Sequence, residues 1–392
     1  MRIISFDLGK STLTGADAND RGGFFTSANW FSYYFSRWPD SEKFGFLVES
    51  YYHSKSLVAD RDSNDLAIYT HIAGLAMTEE RTLFGLSLHC LHWNYSPSLE
   101  RSGIALELNT LRIGATNNSA QNACDLLLQL DNLCEWDELR VPVLQFAQAI
   151  ALANEAKKLG FWAYCYGHNL TYLVNLQSIQ NKFDGNVLAS LSANSRAQLR
   201  KARRLITAAL GPIIAAEPQD KEELCRWFAD MALLHEQRWQ GKNKNASGFA
   251  LKAFKEFYLN LALSLFELGQ LQFLRCTAGE STIGFLFNIV NDNKIEFLMS
   301  GVNYQLDSRF KPGMLCHLIA IERGLAKGYQ SYDLLMGTSR YKQSLATHTE
   351  KVISLKIRKK KLRYWPEHWI RQLQVNKSLS SILSEHDSER FF

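Results

Sequence analysis

No stretch of the 392-residue chain holds the roughly 18 consecutive apolar residues that a bilayer-crossing helix needs. Cysteine offers no framework either. The seven, Cys90, Cys124, Cys134, Cys165, Cys225, Cys276 and Cys316, stand singly, in no CxxC or other metal-type spacing, and their number is odd. That pattern suits free thiols in a reducing compartment and excludes a disulfide scaffold or a cysteine-built metal site. The opening "MRIISFDLGKSTLTG" lacks the basic head, long apolar stretch and small-residue cleavage site of a secretory signal, so the expected location is the cytoplasm. The same segment contains "DLGKST", which ends like a phosphate-binding loop. Ile4 stands where that motif needs its first glycine, so a short strand and turn is expected there instead.

What is present describes a globular protein: 46% apolar and 21% charged residues, in a chain too long for one core and suited to two domains. The formal net charge of +5 is local in origin. "KVISLKIRKKKLR", from Lys351 to Arg363, holds seven Lys or Arg and no acid. It is expected to be a solvated edge strand running into a loop, with a dedicated anion site as the other reading. A second basic run, "LSANSRAQLRKARRLI", holds Arg196, Arg200, Lys201, Arg203 and Arg204. With Ser192 or Asn194 as N-cap, its four arginines fall on one helical stripe. Leu199, Ala202, Leu205, Ile206 and Ala209 fall on the opposite face, which is expected to be buried. A solvated face would mix acids with these bases, so the stripe meets either an anion or acids elsewhere in the fold. Aromatic interleaving and groove-reading motifs are missing, which argues against DNA.

The two domains are expected over 1–185 and 186–392. In the first, "FGFLVES", "LAIYTHIAGLAM", "TLFGLSLHCLHW" and "WDELRVPVL" read as strands, and "SAQNACDLLLQL" and "LQFAQAIALANEAKKLG" as helices, the latter closed by Gly160. In the second, two helices, "DKEELCRWFADMALLHEQRW" and "FALKAFKEFYLNLALSLFELG", precede the meander strands "LQFLRCTA", "TIGFLFNIV" and "KIEFLMSG". A loop ending in Pro312 and Gly313 leads to the helix "MLCHLIAIERGLAKG", followed by the strand "SYDLLMG", a short helix at "SRYKQSL" and the strand "KVISLKI". A strand that feeds a helix through a Pro-Gly turn presents free N–H groups and the positive end of the helix dipole, an anion site.

That order, with "LSANSRAQLRKARR", "LLHEQRWQGK", "DSRFKPGMLCHLIAIERGLAKG" and "YDLLMGTSRYKQSL", resembles the GNAT acyltransferase superfamily. Within it the chain is most similar to the BioF2-like (CelD-like) acetyltransferases, with the tandem halves of Fem-type aminoacyltransferases. "FTSANWFSYYF" and "WDELRVPVL" match more loosely. The resemblance implies an α/β (α+β) fold of tandem GNAT-like domains, each a mixed, mostly antiparallel sheet flanked by helices. It also implies that the second half carries the working site and the first is degenerate.

The implied activity is acyl transfer, as an N-acetyltransferase, from acetyl-CoA to an amine or hydroxyl of a cell-envelope or exopolysaccharide precursor, with no metal. A Fem-like enzyme using aminoacyl-tRNA and a degenerate scaffold in polysaccharide biosynthesis are the alternatives. A coenzyme A pyrophosphate would meet Arg309, Lys311 and the N–H groups of Gly313, Met314 and Leu315. Phe310 and Leu315 stand where the usual signature has Gln or Arg and Gly or Ala, which leaves room for another carrier. Lys342, beside Tyr341, would support the reacting carbonyl, with Asp333 orienting it or Arg340. His235 is a candidate base, on one helix face with Arg238 and Trp239; Glu236 and Glu296 are alternatives. Arg196, Arg200 and Arg204, with Arg238 and Trp239, would receive the acceptor. His317, among apolar neighbours, reads as a satisfied core residue.

Overall fold

The computed structural model describes residues 2–4, 24–26, 28–51, 68–104, 106–109, 119–239 and 247–370. The "GKST" segment and the residues just after Trp239 lie outside them. Two compact units emerge, Met1–Ser98, Leu106–Asn169 and Lys351–Phe392 in the first, Leu99–Ala105 and Leu170–Glu350 in the second.

The chain forms, in order, β1 (Arg2–Ile4), α1 (Ala28–Ser36), β2 (Lys43–Tyr51), β3 (Ile68–Arg81), β4 (Ser87–Trp93), α2 (Pro97–Arg101), α3 (Ser119–Leu133), β5 (Glu138–Gln145), α4 (Phe146–Lys158) and β6 (Trp162–Asn175). It continues with α5 (Leu176–Phe183), α6 (Val187–Ser190), α7 (Ala193–Leu210), β7 (Ile213–Ala216), α8 (Lys221–Trp239) and α9 (Lys252–Glu267). The last elements are β8 (Leu271–Ala278), β9 (Ser281–Asn291), β10 (Lys294–Val302), α10 (Pro312–Ala326), β11 (Ser331–Met336), α11 (Arg340–Leu345) and β12 (His348–Arg358).

The first unit's strands run β1-β2-β3-β4-β5-β12-β6, and the second's β6-β11-β10-β9-β8-β7. Each sheet is mixed and mostly antiparallel, with one parallel pair: β4–β5 in the first and β10–β11 in the second. In both units that pairing covers only three residues: Cys90–His92 on Glu138–Arg140, and Lys294–Glu296 on Ser331–Asp333. Shortly after it each sheet turns irregular at a residue with left-handed backbone, Val143 (φ 53°) and Leu335 (φ 56°). Both conformations cost energy for a side-chain-bearing residue and are held from outside. The Val143 N–H donates to Ser354 Oγ (3.0 Å) and the Leu335 N–H to Asp333 Oδ1 (2.8 Å). This shared irregularity is the structural repeat expected of tandem halves.

Two expectations change. The units part at residue 169, inside β6, rather than at 185, and the described residues from Lys351 onward return to the first unit instead of completing the second. The physical cause is β12, whose Val352 to Arg358 pair antiparallel with Gln145 to Glu138 of β5. The same pairing overturns the edge-strand reading of the basic run, because β12 is an interior strand. Its cations are matched by buried or nearby acids. Arg358 and Arg140 both bond Glu138, Arg358 also meets Glu367 at 2.9 Å, and Arg140 clamps Glu80 with two bonds of 2.7 Å. Lys359 pairs with Asp131 (2.5 Å), and Lys361 and Arg363 with Asp137 (2.7 and 3.2 Å).

Helix α7 forms for the reasons its sequence suggested. Ser192 caps it through Oγ, which accepts from the Ser195 N–H at 3.2 Å, and Gly211 (φ 105°) ends it. Leu199, Ala202 and Ile206 are buried in the second unit's core, with Leu205 partly buried and Ala209 exposed. Burying Leu199 and Ile206 contributes about 1.5–3 kcal/mol each, so Leu199→Ala or Ile206→Ala would loosen this helix.

Candidate functional site

After Glu296 and Asp333 the pairing of β10 with β11 ends. A bulge at Phe297–Met299 then bends β10. The strands diverge where α10 starts, and a cavity of about 260 Å³ opens, lined by Ser300, Val302 and Tyr304 from β10 and its following loop and by Lys311 to Met314 at the start of α10. Arg238 of α8, His317 of α10 and Tyr341 of α11 complete the wall that matters here.

In the first unit the corresponding divergence is filled. Asn109 donates its N–H to the Val143 carbonyl (2.9 Å) and its Nδ2 to the Trp93 carbonyl (3.0 Å), while its Oδ1 accepts from Asn94 Nδ2 (3.0 Å). A side-chain amide thus takes the strand-end groups that the second unit turns toward its cavity.

The cavity mouth is cationic. Lys311 is the N-cap of α10 in left-handed conformation (φ 48°), Pro312 opens the helix, and no side chain caps it. Pro312 has no N–H, and the Leu315 N–H bonds the Lys311 carbonyl at 3.0 Å, so Gly313 and Met314 supply the helix-end donors at the cavity. Gly313 keeps the approach open: a Cβ there would sit 3.4 Å from Tyr304 Oη. The Arg238 guanidinium lies 4.9 Å over the Tyr304 ring. Burial raises the Tyr304 hydroxyl above the usual phenol range and pushes that of Tyr341 well above it, so both remain protonated donors at neutral pH.

Beneath this mouth lies a buried polar chain. His317 Nδ1 bonds Tyr332 Oη (3.0 Å), Tyr332 reaches Asn288 Oδ1 (3.3 Å), and Asn288 bonds Gln272 (2.9 Å). The His317 ring stacks on Tyr341 at 4.9 Å and meets the Phe297 ring edge at 4.5 Å. Burial, with the nearby Lys342 ammonium, drives its pKa down to about 3, so it is neutral in the folded protein. The core reading of His317 therefore holds, and the residue also faces the cavity, which its apolar sequence neighbours concealed.

Lys342 is buried, donates to the Met336 carbonyl, and places Nζ 5.7 Å from the Phe297 ring centroid. It stands behind the cavity rather than on its wall, and Tyr341, its neighbour in sequence, is the wall residue. Gly337 makes this possible, because a Cβ there would lie 3.1 Å from Lys342 Nζ and its φ is +147°. The Asp333 carboxyl is shielded from water although the residue as a whole is only half-buried, and this desolvation pushes its pKa up to about 6 against the Leu335 N–H that stabilises its charge.

Other expected site residues lie elsewhere. Arg309 is exposed and folded back on Asp307 (Nε–Oδ2 2.8 Å), and Leu315 and Phe310 are core residues. His235 bonds Ser247 Oγ (2.9 Å) against Phe249, and burial lowers its pKa to about 4. The side chain of Trp239 lies outside the described residues; Glu236 is half-buried and Glu296 is buried opposite Asp333 in the ladder, and neither of these two is a wall residue. Arg196 donates to the Leu191 carbonyl (3.1 Å) and Arg203 pairs with Glu322 (2.6 Å), whereas Arg200 and Arg204 are exposed on α7. Sequence reasoning missed Tyr304 and Ser300, for which only the strand's run into the Pro-Gly turn was a signal. Among the described residues no group of three His, Cys, Asp or Glu is placed to hold a metal, and no helix is long and apolar enough to cross a membrane.

A mixed sheet that diverges beside a helix N-terminus, with cations at the mouth and protonated hydroxyls within, is suited to hold an anionic ligand. Residues 193–343 match the family described as acetyltransferase (GNAT) domain, so the second unit is a GNAT-type acyltransferase domain. The fold is GNAT-like and Fem-type. The crystal structure of FemX is similar over 86% of this chain and 92% of its own, at 11% identity and a TM-score of 0.52. Fainter likenesses run to the C-terminal domain of a putative lysylphosphatidylglycerol synthetase from Agrobacterium fabrum (10% identity, 73% and 80% covered, TM-score 0.43). A GCN5-related N-acetyltransferase from Sphaerobacter thermophilus is similar at 10% identity (72% and 76% covered, TM-score 0.32). No curated protein matches the chain in sequence.

Proposed function

We propose that the chain transfers an acyl group from acetyl-CoA to an amine or hydroxyl of a cell-envelope or exopolysaccharide precursor, using the second-unit cavity. The observation that carries this reading is the opening beyond Glu296 and Asp333, ending at the uncapped start of α10 beside Lys311 and Arg238. Gly313 and Met314 N–H groups with those two cations suit the donor's phosphates. The acceptor's nitrogen or oxygen attacks the thioester carbonyl; the new C–N or C–O bond forms as the C–S bond breaks, the acceptor loses a proton, and the departing thiolate gains one. Tyr341, held protonated, is the wall group suited to deliver that last proton. The Lys342 ammonium, behind the wall, favours the negative charge that develops on the carbonyl oxygen, and Asp333 positions the strand end from which Lys342 is bonded. His235, bonded to Ser247, would act only through Arg238 on the same helix.

For the acceptor, Arg200 and Arg204 are the exposed part of the arginine stripe. Helix α7 packs its buried face on Phe310, beside the cavity residue Ser308. Charge reversal at both arginines should weaken binding of an anionic acceptor; unchanged affinity would leave them a structural role.

A second reading, aminoacyl-tRNA as donor, draws on one feature. Phe310 and Leu315, at the outer positions of the usual pyrophosphate signature, are both buried, which narrows the phosphate cradle to two N–H groups. Calorimetry separates the two. Acetyl-CoA binding that Lys311→Glu weakens supports the first, while no acetyl-CoA binding together with salt-steep binding of charged tRNA supports the second.

A further inference from the structure

We propose that the first unit docks on a bilayer surface carrying anionic headgroups, through a patch built from the β3–β4 hairpin tip and the segment 362–370. This surface is separate from the acyl-transfer cavity and does not depend on that reading.

The hairpin tip displays Leu83 and Phe84 at 70% and 54% exposure, with Leu86 beside them. Such residues at a protruding tip cost solubility unless something covers them. The turn that carries them is closed by its own hydrogen bonds. The Thr82 N–H donates to the Leu86 carbonyl (2.8 Å) and the Gly85 N–H to the Thr82 carbonyl (2.9 Å). The Leu86 N–H donates to Thr82 Oγ1 (3.0 Å) and Arg81 to the Gly85 carbonyl (2.9 Å). A tip whose turn is closed by its own hydrogen bonds while its apolar side chains stay exposed suits the low-polarity edge of a bilayer.

The second element presents Leu362 at 86% and Trp369 at 59% exposure, with Trp365 and Ile370 also exposed. It is rigidly mounted by the residues between them. Tyr364 is buried, Glu367 is buried on Arg358, and His368 stacks on Trp162 at 4.1 Å and bonds Tyr164 Oη at 2.7 Å. Tyr364 Oη donates to the Ser87 carbonyl at 3.1 Å, at the foot of the hairpin, so the two apolar elements belong to one end of this unit. With Glu367 buried, the exposed charges between 359 and 370 are Lys360, Lys361 and Arg363; the last two share the single buried carboxylate of Asp137, so the group keeps a net positive charge. Glu79, further back on the hairpin, is bonded to Ser87 (2.6 Å). Indoles and leucines flanked by cations match the headgroup region of an anionic bilayer.

The test uses the full chain in vesicle co-sedimentation, with phosphatidylcholine alone and with phosphatidylglycerol added. Leu83→Glu with Phe84→Glu removes one element, and Leu362→Glu with Trp369→Glu the other. All four side chains are exposed, and circular dichroism checks that the fold persists. The proposal expects binding to the anionic vesicles, reduced by salt, and about tenfold weaker in each double variant. Lys360→Glu, a change that leaves the packing untouched, should weaken anionic-vesicle binding alone. Wild-type protein that binds neither vesicle, or binding that survives both double variants, overturns it. So does a concentration-dependent dimer that the double variants dissolve in sedimentation velocity, which makes a second copy the occupant.

Discussion

Replacing His317 with Gln should remove most of one pH-dependent component of stability. In the folded protein burial and Lys342 hold His317 at a pKa of about 3, against 6.5 for a free imidazole. Between those values the unfolded chain takes up a proton that the folded chain refuses. The neutral ring's contribution is thus complete above pH 6.5 and declines as pH falls toward 3. At pH 4.5 the gap is about two pH units, or about 2.7 kcal/mol at 1.36 kcal/mol per unit. Glutamine keeps a polar atom for Tyr332 and has nothing to titrate. The assay is the urea midpoint at pH 7.5 and 4.5 for both proteins, because the shared contributions of His92 (pKa about 3) and His235 (about 4) cancel in the difference. Wild type should lose about 2.7 kcal/mol more than His317→Gln on acidification. Equal losses would show that His317 is not held neutral, and the description of the cavity floor would fail.

Other consequences run in different directions. Asp333, raised to about 6, is more easily buried as the acid, so its favourable contribution is present below pH 3.8 and lost as pH rises through 6. Asp333→Asn should therefore stabilise at pH 8 by up to about 3 kcal/mol and be neutral near pH 3.5, read from melting curves at both pH values. Gly301→Ala puts a Cβ 2.2 Å from the Met231 carbonyl oxygen, a backbone contact that cannot swing aside. It should cost about 1–3 kcal/mol or more, and an unchanged urea midpoint would contradict the close packing of α8 on β10. Arg358→Met leaves Glu138 and Glu367 short of a buried partner and should cost about 3–5 kcal/mol by chemical denaturation.

Much of the second unit was legible because its helices are long and periodic and its meander strands are bounded by polar turns. Pro312 and Gly313 marked the helix start, and Ser192 marked α7. The misread parts depend on partners distant in sequence. Nothing local in "KVISLKI" shows that β5 lies beside it, or that Glu138, Asp137 and Asp131 await its cations. β6, with its mixed aromatic and polar residues, was not singled out, yet it is the strand in which one unit ends and the next begins. At the site, Tyr341 and Lys311 were found from motif and charge. Tyr304 and the wall-facing edge of His317 arise from a bulge and a strand divergence, which no residue pattern announces. Arg309 and Leu315 were placed by proximity in sequence. The structure turns one onto Asp307 and the other into the core.

The central claim is that the donor enters the second unit, between the end of β10 and the start of α10. Amide hydrogen exchange with and without acetyl-CoA, and again with aminoacyl-tRNA, tests it region by region. The account predicts donor-dependent protection over residues 300–315 and 336–342, lost in Lys311→Glu. Protection confined to the strand ends around Asn94 and Val143 of the first unit would contradict it.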